Sequence, residues 1–362
     1  MKKILKFVSR FILAINLLVA ILLVCCAYSP MLSAAQMPLL SLAGLAFPFV
    51  LAVNVFFFVF WLLAYWRYAL VSLITFLICF AQIRAFVPMN AASQFPPKNS
   101  LKVLSYNILS SNINASNTNK ENATIAYLEA ADADIICLQE LQFATLKKRK
   151  ELLKKYPYKS YNLSNESQAA AHHLGCLSKY PIIESSKVEL QSTSNGCTKY
   201  RILHEGDTIV VYNCHLQSNG LQNADKSTYK QLLTSPLEYM DNRDTEGAKE
   251  LIKKLRDSAA KRADQADVIL ADMERETSPY IIVCGDFNDS PISYTCHRLK
   301  GRLKDAYISS GNGPGISYNR HGMYYRIDHI LHSSRFKAYD CTVDRSIKIS
   351  DHYPIFCFLG KR

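Results

Sequence analysis

Apolar positions fall into two regimes along this chain. In the first 88 residues they form long uncharged blocks: Phe11 to Tyr28, Leu39 to Tyr65, and Tyr68 to Ile83, the last extending through Phe86 and Val87. A bilayer core takes about 20 apolar residues as a helix, and a helix satisfies its own backbone in lipid. The first two blocks reach that length alone. The third reaches it if Arg84 snorkels to the interface. The pattern predicts three transmembrane helices, at residues 11–28, 39–65 and 68–87, inside an anchor of residues 1–88. A linker of residues 89–100, with Pro96-Pro97, leads to a domain of residues 101–362. Lys2, Lys3 and Lys6 ahead of the first block also suit a cleaved signal peptide, but two further blocks follow at once.

Basic residues in short loops set orientation. Lys2, Lys3, Lys6 and Arg10 place the N-terminus in the cytoplasm, the uncharged loop from Pro30 to Pro38 lies outside, and Trp66-Arg67 returns inside. Three spans then put the domain on the extracytoplasmic side.

Beyond residue 100 the runs shorten. Leu101 to Asn107 alternates and ends in polar residues. Ile135–Leu138, Ile209–Tyr212, Tyr280–Cys284, Ile327–Leu331 and Ile355–Leu359 are short apolar runs, as in strands buried on both faces. Helical periods lie between them at Asn122–Ala131, Phe143–Lys155 and, most clearly, Thr245–Met273. There Ile252, Leu255, Ala259, Ala263, Ala266 and Leu270 form one apolar stripe. Residues 217–244, rich in Asn, Asp, Ser and Thr, read as a long loop. Strands mixed with helices in this order imply sheet layers covered by helices.

Charge changes one inference. The net +12 suggests a nucleic-acid partner. However, seven of the 42 Lys and Arg, and none of the 30 Asp and Glu, lie before residue 100. The remainder holds 35 basic and 30 acidic residues, which does not favour long duplex DNA. The run Lys147-Lys148-Arg149-Lys150 reads as a solvated helix face. Cys137, Cys214 and Cys284 read as small core residues. Cys176 and Cys197 flank an expected hairpin and could pair in an oxidising compartment.

Four strand-like runs deliver polar residues at their ends: Ser105-Tyr106-Asn107, Leu138-Gln139-Glu140, Asn213-Cys214-His215-Leu216 and Gly285-Asp286-Phe287-Asn288; two further clusters, Arg326-Ile327-Asp328-His329 and Ser350-Asp351-His352-Tyr353-Pro354, stand at or before the start of the last two runs. Singly, each reads as a turn, a cap or a solvated loop residue. Glu140 at the end of a buried strand needs a cation. Asp286 and Asn288, two apart on an extended segment, share a face. Carboxylate and amide oxygens suit Mg²⁺ or Mn²⁺ rather than zinc. His215 and His352 could polarise a phosphate or pass protons.

The ordered set resembles the endonuclease/exonuclease/phosphatase superfamily over residues 101–360, in its deoxyribonuclease and neutral sphingomyelinase-like branch, as a membrane-anchored bacterial-type member. The resemblance implies a four-layered α/β sandwich, with two mixed β-sheets flanked by helices, and divalent-ion-dependent phosphoester hydrolysis. It assigns Asn107, Glu140 and Asp351 to the metal side. Asp286 resembles the aspartate that activates water, and Asn288 the amide that holds the phosphate. His352 resembles the histidine on the scissile phosphate, with Asp328 as its hydrogen-bonding carboxylate. His215 resembles the histidine of the named branch, and no carboxylate to orient it is evident. Leu109 stands where the abasic-site branch carries an acid. Arg262 and Gln265 resemble a pair common in bacterial members and read equally as a solvated helix face.

The expected function is a membrane-tethered, Mg²⁺-dependent phosphoester hydrolase, a phosphodiesterase or phosphatase. Its substrate would be a lipid headgroup, a nucleic acid or a sugar phosphate; its other partner is the lipid bilayer, with no obligate protein partner implied. The alternatives are an extracytoplasmic endonuclease acting on DNA or RNA, and a catalytically inactive membrane-bound binding module. The latter would need a broken motif, and all six are intact. A transport role would call for an intramembrane acid, and the three blocks contain none.

Overall fold

A computed structural model describes residues 2–91, 95–109, 118–141, 154–162, 173–192, 195–235, 245–320 and 323–362. The N-terminal segment, expected to be the anchor, comprises α1 (Lys2–Tyr28), a short α2 (Pro38–Ser41), α3 (Ala43–Ala64), α4 (Trp66–Ile78) and α5 (Phe80–Phe86). Two helical segments, Lys3–Met31 and Pro38–Ala64, are long and apolar enough to cross a membrane. α4 and α5 qualify only as a pair, bent by 69° at Cys79, so the spans number two, or three with this bent pair. Buried amides tie the helices together. Asn16 donates to the Ser72 hydroxyl at 3.2 Å and accepts from the Trp61 indole at 3.1 Å. Such bonds count where lipid offers no partner.

The strands are β1 (Leu101–Asn107), β2 (Ile135–Leu141), β3 (Tyr158–Asn162), β4 (His173–Ser178), β5 (Ile182–Val188), β6 (Gly196–His204), β7 (Asp207–His215), β8 (Tyr280–Asp286), β9 (Lys304–Asp305), β10 (Tyr318–Arg320), β11 (Met323–Tyr325), β12 (Asp328–His332), β13 (Phe336–Val343) and β14 (Ile355–Lys361). Two six-stranded sheets run β13-β14-β1-β2-β4-β3 and β5-β6-β7-β8-β12-β9, and β10 and β11 form a small hairpin. Both sheets are mixed: β1 pairs parallel with β2 and β7 with β8, while their other pairings are antiparallel.

Side-chain alternation builds the layers. Val103, Ile135, Val211, Ile282, Ile330 and Cys357 meet between the sheets. Leu104, Tyr106, Ile136 and Leu138 face outward against α6 (Thr118–Ala131) through Ile125 and Leu128. Val210, Tyr212, Val283 and Leu331 face the other way, onto α8 (Thr245–Glu274) through Ala266, Ile269 and Met273. This is the four-layered sandwich. α7 (Asn223–Thr234), α9 (Tyr294–Lys300) and α10 (Ala306–Ser310) are the remaining α-helices among the described residues.

Several sequence readings are corrected. The stretch 217–244 contains a helix, α7, started by a reciprocal capping box between Gln222 and Asp225. The buried stripe of α8 passes through Leu251, Ala259, Ala263, Ala266 and Ile269, and Ile252 points outward. Cys176 and Cys197 do not pair, because they stand in different sheets and different core layers, and all eleven cysteines are free. Cys197 lies instead beside Cys214, with sulfurs 3.5 Å apart. Most of the expected helix Phe143–Lys155, and the basic run 147–150, lie outside the described residues.

Candidate active site

The polar residues converge because the strands that carry them end at one edge of the sandwich. β7 and β8 are in register so that His215 pairs with Asp286, and β12 sets Asp328 opposite Asp286 on its other side. β1 and β2 place Asn107 beside Gln139. One residue on, Glu140 takes φ 53°, within an irregular stretch of the β2–β4 pairing between Leu138 and Leu141. This re-aims its carboxylate, a common use of bulges next to sites.

Asn107 bridges the two halves. Its amide nitrogen donates to Glu140 Oε1 and to Asp286 Oδ2, both at 3.1 Å. Its oxygen accepts from the Leu109 amide at 3.1 Å. His215 Nε2 faces Glu140 Oε1 and Asp286 Oδ2, each at 3.8 Å. Asn288 does not reach Asp286 along an extended segment, as its spacing suggested. It sits in a turn with φ 52°, its amide N–H donating to Asp286 Oδ1 at 2.8 Å and its side-chain amide donating to the Leu216 carbonyl at 2.9 Å. Gly285 permits the close approach of β8 to β7 just before Asp286: its φ is 137°, and a Cβ there would lie 1.9 Å from the Cys214 carbonyl oxygen.

His352 Nδ1 lies 2.8 Å from Asp328 Oδ2, and its Nε2 is 3.6 Å from Asp286 Oδ2. Burial opposes a charge on this ring, but Asp328 and then Asp286 outweigh it and hold its pKa up to about 10. Burial raises the Asp286 carboxyl above its ordinary value, against the pull of His352. Ser350 fixes the loop that carries His352. Its hydroxyl donates to the Asn107 carbonyl at 2.8 Å and accepts from the His352 amide at 3.1 Å. Asp351 lines the same cavity as Glu140, His215, Asp286, Asn288 and His352.

Asp286, Asp328 and His352 offer ligand atoms within 4.8 Å of one another. A protonated His352 bonded to Asp328 is a poor metal ligand, so this trio suits proton and charge control better. Glu140 and Asp351 line the same cavity beside Asp286, and their carboxylate oxygens are of the kind that could hold a cation. A hard divalent ion fits these oxygens. Asn107 would join its ligands by presenting its amide oxygen where the nitrogen now stands. The buried Asp328 Oδ1 lacks a hydrogen-bond partner among the described residues, which leaves acceptor capacity at the site.

Other contributors carried little sequence signal. The Ser317 hydroxyl accepts from the amides of Ile327 and Asp328 at 3.0 and 3.1 Å. Tyr318 packs edge-on against the His352 ring at a centroid distance of 5.2 Å. Gln139 and Asn213, both fully buried, join side chain to side chain across the sheets at 2.7 Å. Arg262 and Gln265 are not a solvated face: each is at most 5% exposed. Arg262 pairs with Asp289 at 3.1 Å and donates to the Gln217 carbonyl and Asn219, while Gln265 accepts from the Gln217 amide at 2.8 Å. Together they pin the chain just after His215.

Residues 104–352 match the model of the Endonuclease/Exonuclease/phosphatase family, and the chain belongs to that family. Residues 9–86 match a model described as a domain of unknown function. No curated protein matches the sequence. Solved structures share the fold. A Danio rerio TDP2 humanized by 14 mutations superposes with a TM-score of 0.52 at 16% identity, covering 72% of this chain and 99% of its own. The human Nocturnin catalytic domain gives 0.52 at 16%, covering 75% and 96%. The Bacteroides thetaiotaomicron mannosyl-6-phosphatase gives 0.50 at 18%, covering 72% and 100%. Family members are metal-dependent phosphoester hydrolases that generally use Mg²⁺ or Mn²⁺, and this chain is an enzyme of that class.

Proposed function

We propose that the protein is a membrane-tethered, Mg²⁺-dependent phosphoester hydrolase whose catalytic domain faces away from the cytoplasm. The observation that carries the chemistry is the chain of contacts from Asp328 through His352 to Asp286, set against Glu140 and Asn107. Asp286, desolvated and raised in pKa, accepts a proton from the attacking water. Asp328 fixes the tautomer and charge of His352, which holds the phosphate oxygens as negative charge grows on them. Asn288 and His215 position the phosphate, and Asp351 with Glu140 and Asn107 forms the cation side. A bound Mg²⁺ supplies Lewis-acid neutralisation of phosphoryl charge. As water adds to phosphorus, the P–O bond to the leaving group breaks, and the departing oxygen takes up a proton.

The location reading rests on two facts. The loop after α1 and the chain after α5 both pack on the catalytic domain, so they share its side. The basic residues ahead of α1 then favour a cytoplasmic position for the opposite end. Among the structural relatives, one is named a mannosyl-6-phosphatase and another is complexed with single-strand DNA product, so fold alone leaves the phosphoester open. A panel of plasmid DNA, sphingomyelin, phosphoinositides and sugar phosphates, each with Mg²⁺ and with EDTA, tests the reading on the full-length protein. Hydrolysis of at least one class that EDTA abolishes is expected. Inactivity on all of them, or activity insensitive to EDTA, refutes the proposal.

A further inference from the structure

The cavity above His352 and Asp286 is not made by the catalytic domain alone. It measures about 240 Å³, and part of its wall consists of Ala34, Leu42 and Leu45 of the anchor, together with Ile292. The wall is firmly seated. At Gly44 an added Cβ would lie 2.0 Å from the Ile292 carbonyl oxygen, so anchor backbone and domain backbone are in direct contact. Leu23, Cys26, Phe47 and Ile292 share one buried cluster, and Ala34 packs on Ala259 and Ala263 of α8. The far end of the anchor is fastened as well. The Asn90 side chain donates to the Gly311 carbonyl at 2.6 Å, and the buried Arg326 guanidinium donates to the carbonyls of Ala85 and Pro314.

Leu42 and Leu45 stand at the start of the second candidate span, Pro38–Ala64. The apolar wall therefore lies where a bilayer begins, and the polar end carries Glu140, Asp286 and His352. A small hydrophilic phosphoester would use only the polar end and leave the half-buried Leu42 and Leu45 facing water. An amphiphile satisfies both ends, and its tail need not leave the membrane to deliver the phosphate.

We propose that the anchor is part of the substrate site, and that the substrate is a membrane amphiphile. Its phosphoester sits among Glu140, Asp286 and His352, and its apolar portion lies along Leu42, Leu45 and Ile292. This rests on the hydrolase reading above and narrows it to phosphoesters bearing a long hydrocarbon group. Acyl and isoprenyl chains share that chemistry.

The test uses the full-length protein in lipid nanodiscs. Its substrates are a diacyl phospholipid and a long-chain isoprenyl phosphate, each beside a short-chain, water-soluble counterpart, with bis(p-nitrophenyl) phosphate as a generic diester. For at least one pair, kcat/KM is expected to favour the long-chain member by tenfold or more. Leu45→Ser should cut that preference at least fivefold, mainly through KM, and Leu45→Met should restore it. Leu42→Ser repeats the test should Leu45→Ser misassemble. Equal efficiency within both pairs, or a preference untouched by both serine variants, overturns the proposal. Which pair responds identifies the hydrocarbon class. Absence of Mg²⁺-dependent hydrolysis of every substrate, the generic diester included, overturns instead the hydrolase reading beneath it.

Discussion

Replacing Asp328 by Asn removes one charge from the site while nearly preserving shape. Asp328 is fully buried and lies 2.8 Å from His352 Nδ1, and the new amide oxygen can still accept that N–H. The negative charge that keeps the ring cationic is lost. His352 is held at about 10, against an ordinary value of 6.5. At 1.36 kcal/mol per unit this is about 5 kcal/mol, and Asp328 leads Asp286 in supplying it. Assigning roughly half to Asp328 weakens proton binding by the ring by about 2–3 kcal/mol, and the rate loss is expected to reach about a hundredfold where pH exceeds the lowered value, within the range of positioned acid–base groups. The sign for pH follows. The raised value keeps His352 protonated through neutrality, so activity that needs the imidazolium falls only as pH rises towards about 10. In Asp328→Asn that alkaline limb moves down towards 6.5. A bound divalent ion lowers both limbs together, so the difference between the two proteins is diagnostic. The assay is the pH profile of kcat/KM on a generic phosphodiester at saturating Mg²⁺. A variant within threefold of wild type, with an unmoved alkaline limb, refutes the assigned partnership.

Three further outcomes follow from the same geometry. Glu140→Gln should raise the Mg²⁺ concentration for half-maximal activity at least tenfold in a metal titration, and an unchanged midpoint removes Glu140 from the cation side. Gly285→Ala places a Cβ against the Cys214 carbonyl at a strongly positive φ. It should lower stability by about 3 kcal/mol or more in denaturant unfolding, and near-wild-type stability would contradict the packing of β7 on β8. A reporter active only outside the cytoplasm, fused near Phe95, should be active, and a silent fusion rejects the three-span topology.

How far the sequence reveals this molecule depends on where burial dominates. The long apolar helices and the central strands are legible because long apolar blocks, and short ones flanked by polar residues, are direct consequences of what lies around them. The candidate site acids are marked in a similar way: Glu140 and Asp286 stand at the ends of buried strands, Asp328 opens one, and Asp351 lies in the loop that leads into another. Glu140 and Asn288 also needed left-handed backbone that their residue types do not announce. α7 was hidden because its start depends on Gln222 and Asp225 rather than on an apolar stripe. Arg262 and Gln265 read equally as a family pair or a solvated face because a polar residue on a helix carries no local sign of the loop it will clasp. The docking of the anchor against the cavity was least legible. It depends on small residues, Ala34 and Gly44, whose meaning appears only when another surface lies against them.

The central claim is that one metal-dependent site, organised around His352, hydrolyses a phosphoester. Its most direct test is hydrolysis of bis(p-nitrophenyl) phosphate by purified full-length protein, wild type beside His352→Ala, with and without Mg²⁺. Thermal unfolding of both proteins confirms an intact fold. The account predicts Mg²⁺-dependent turnover in the wild type and a loss of about a hundredfold or more in the variant. Full activity in a folded His352→Ala protein would contradict it.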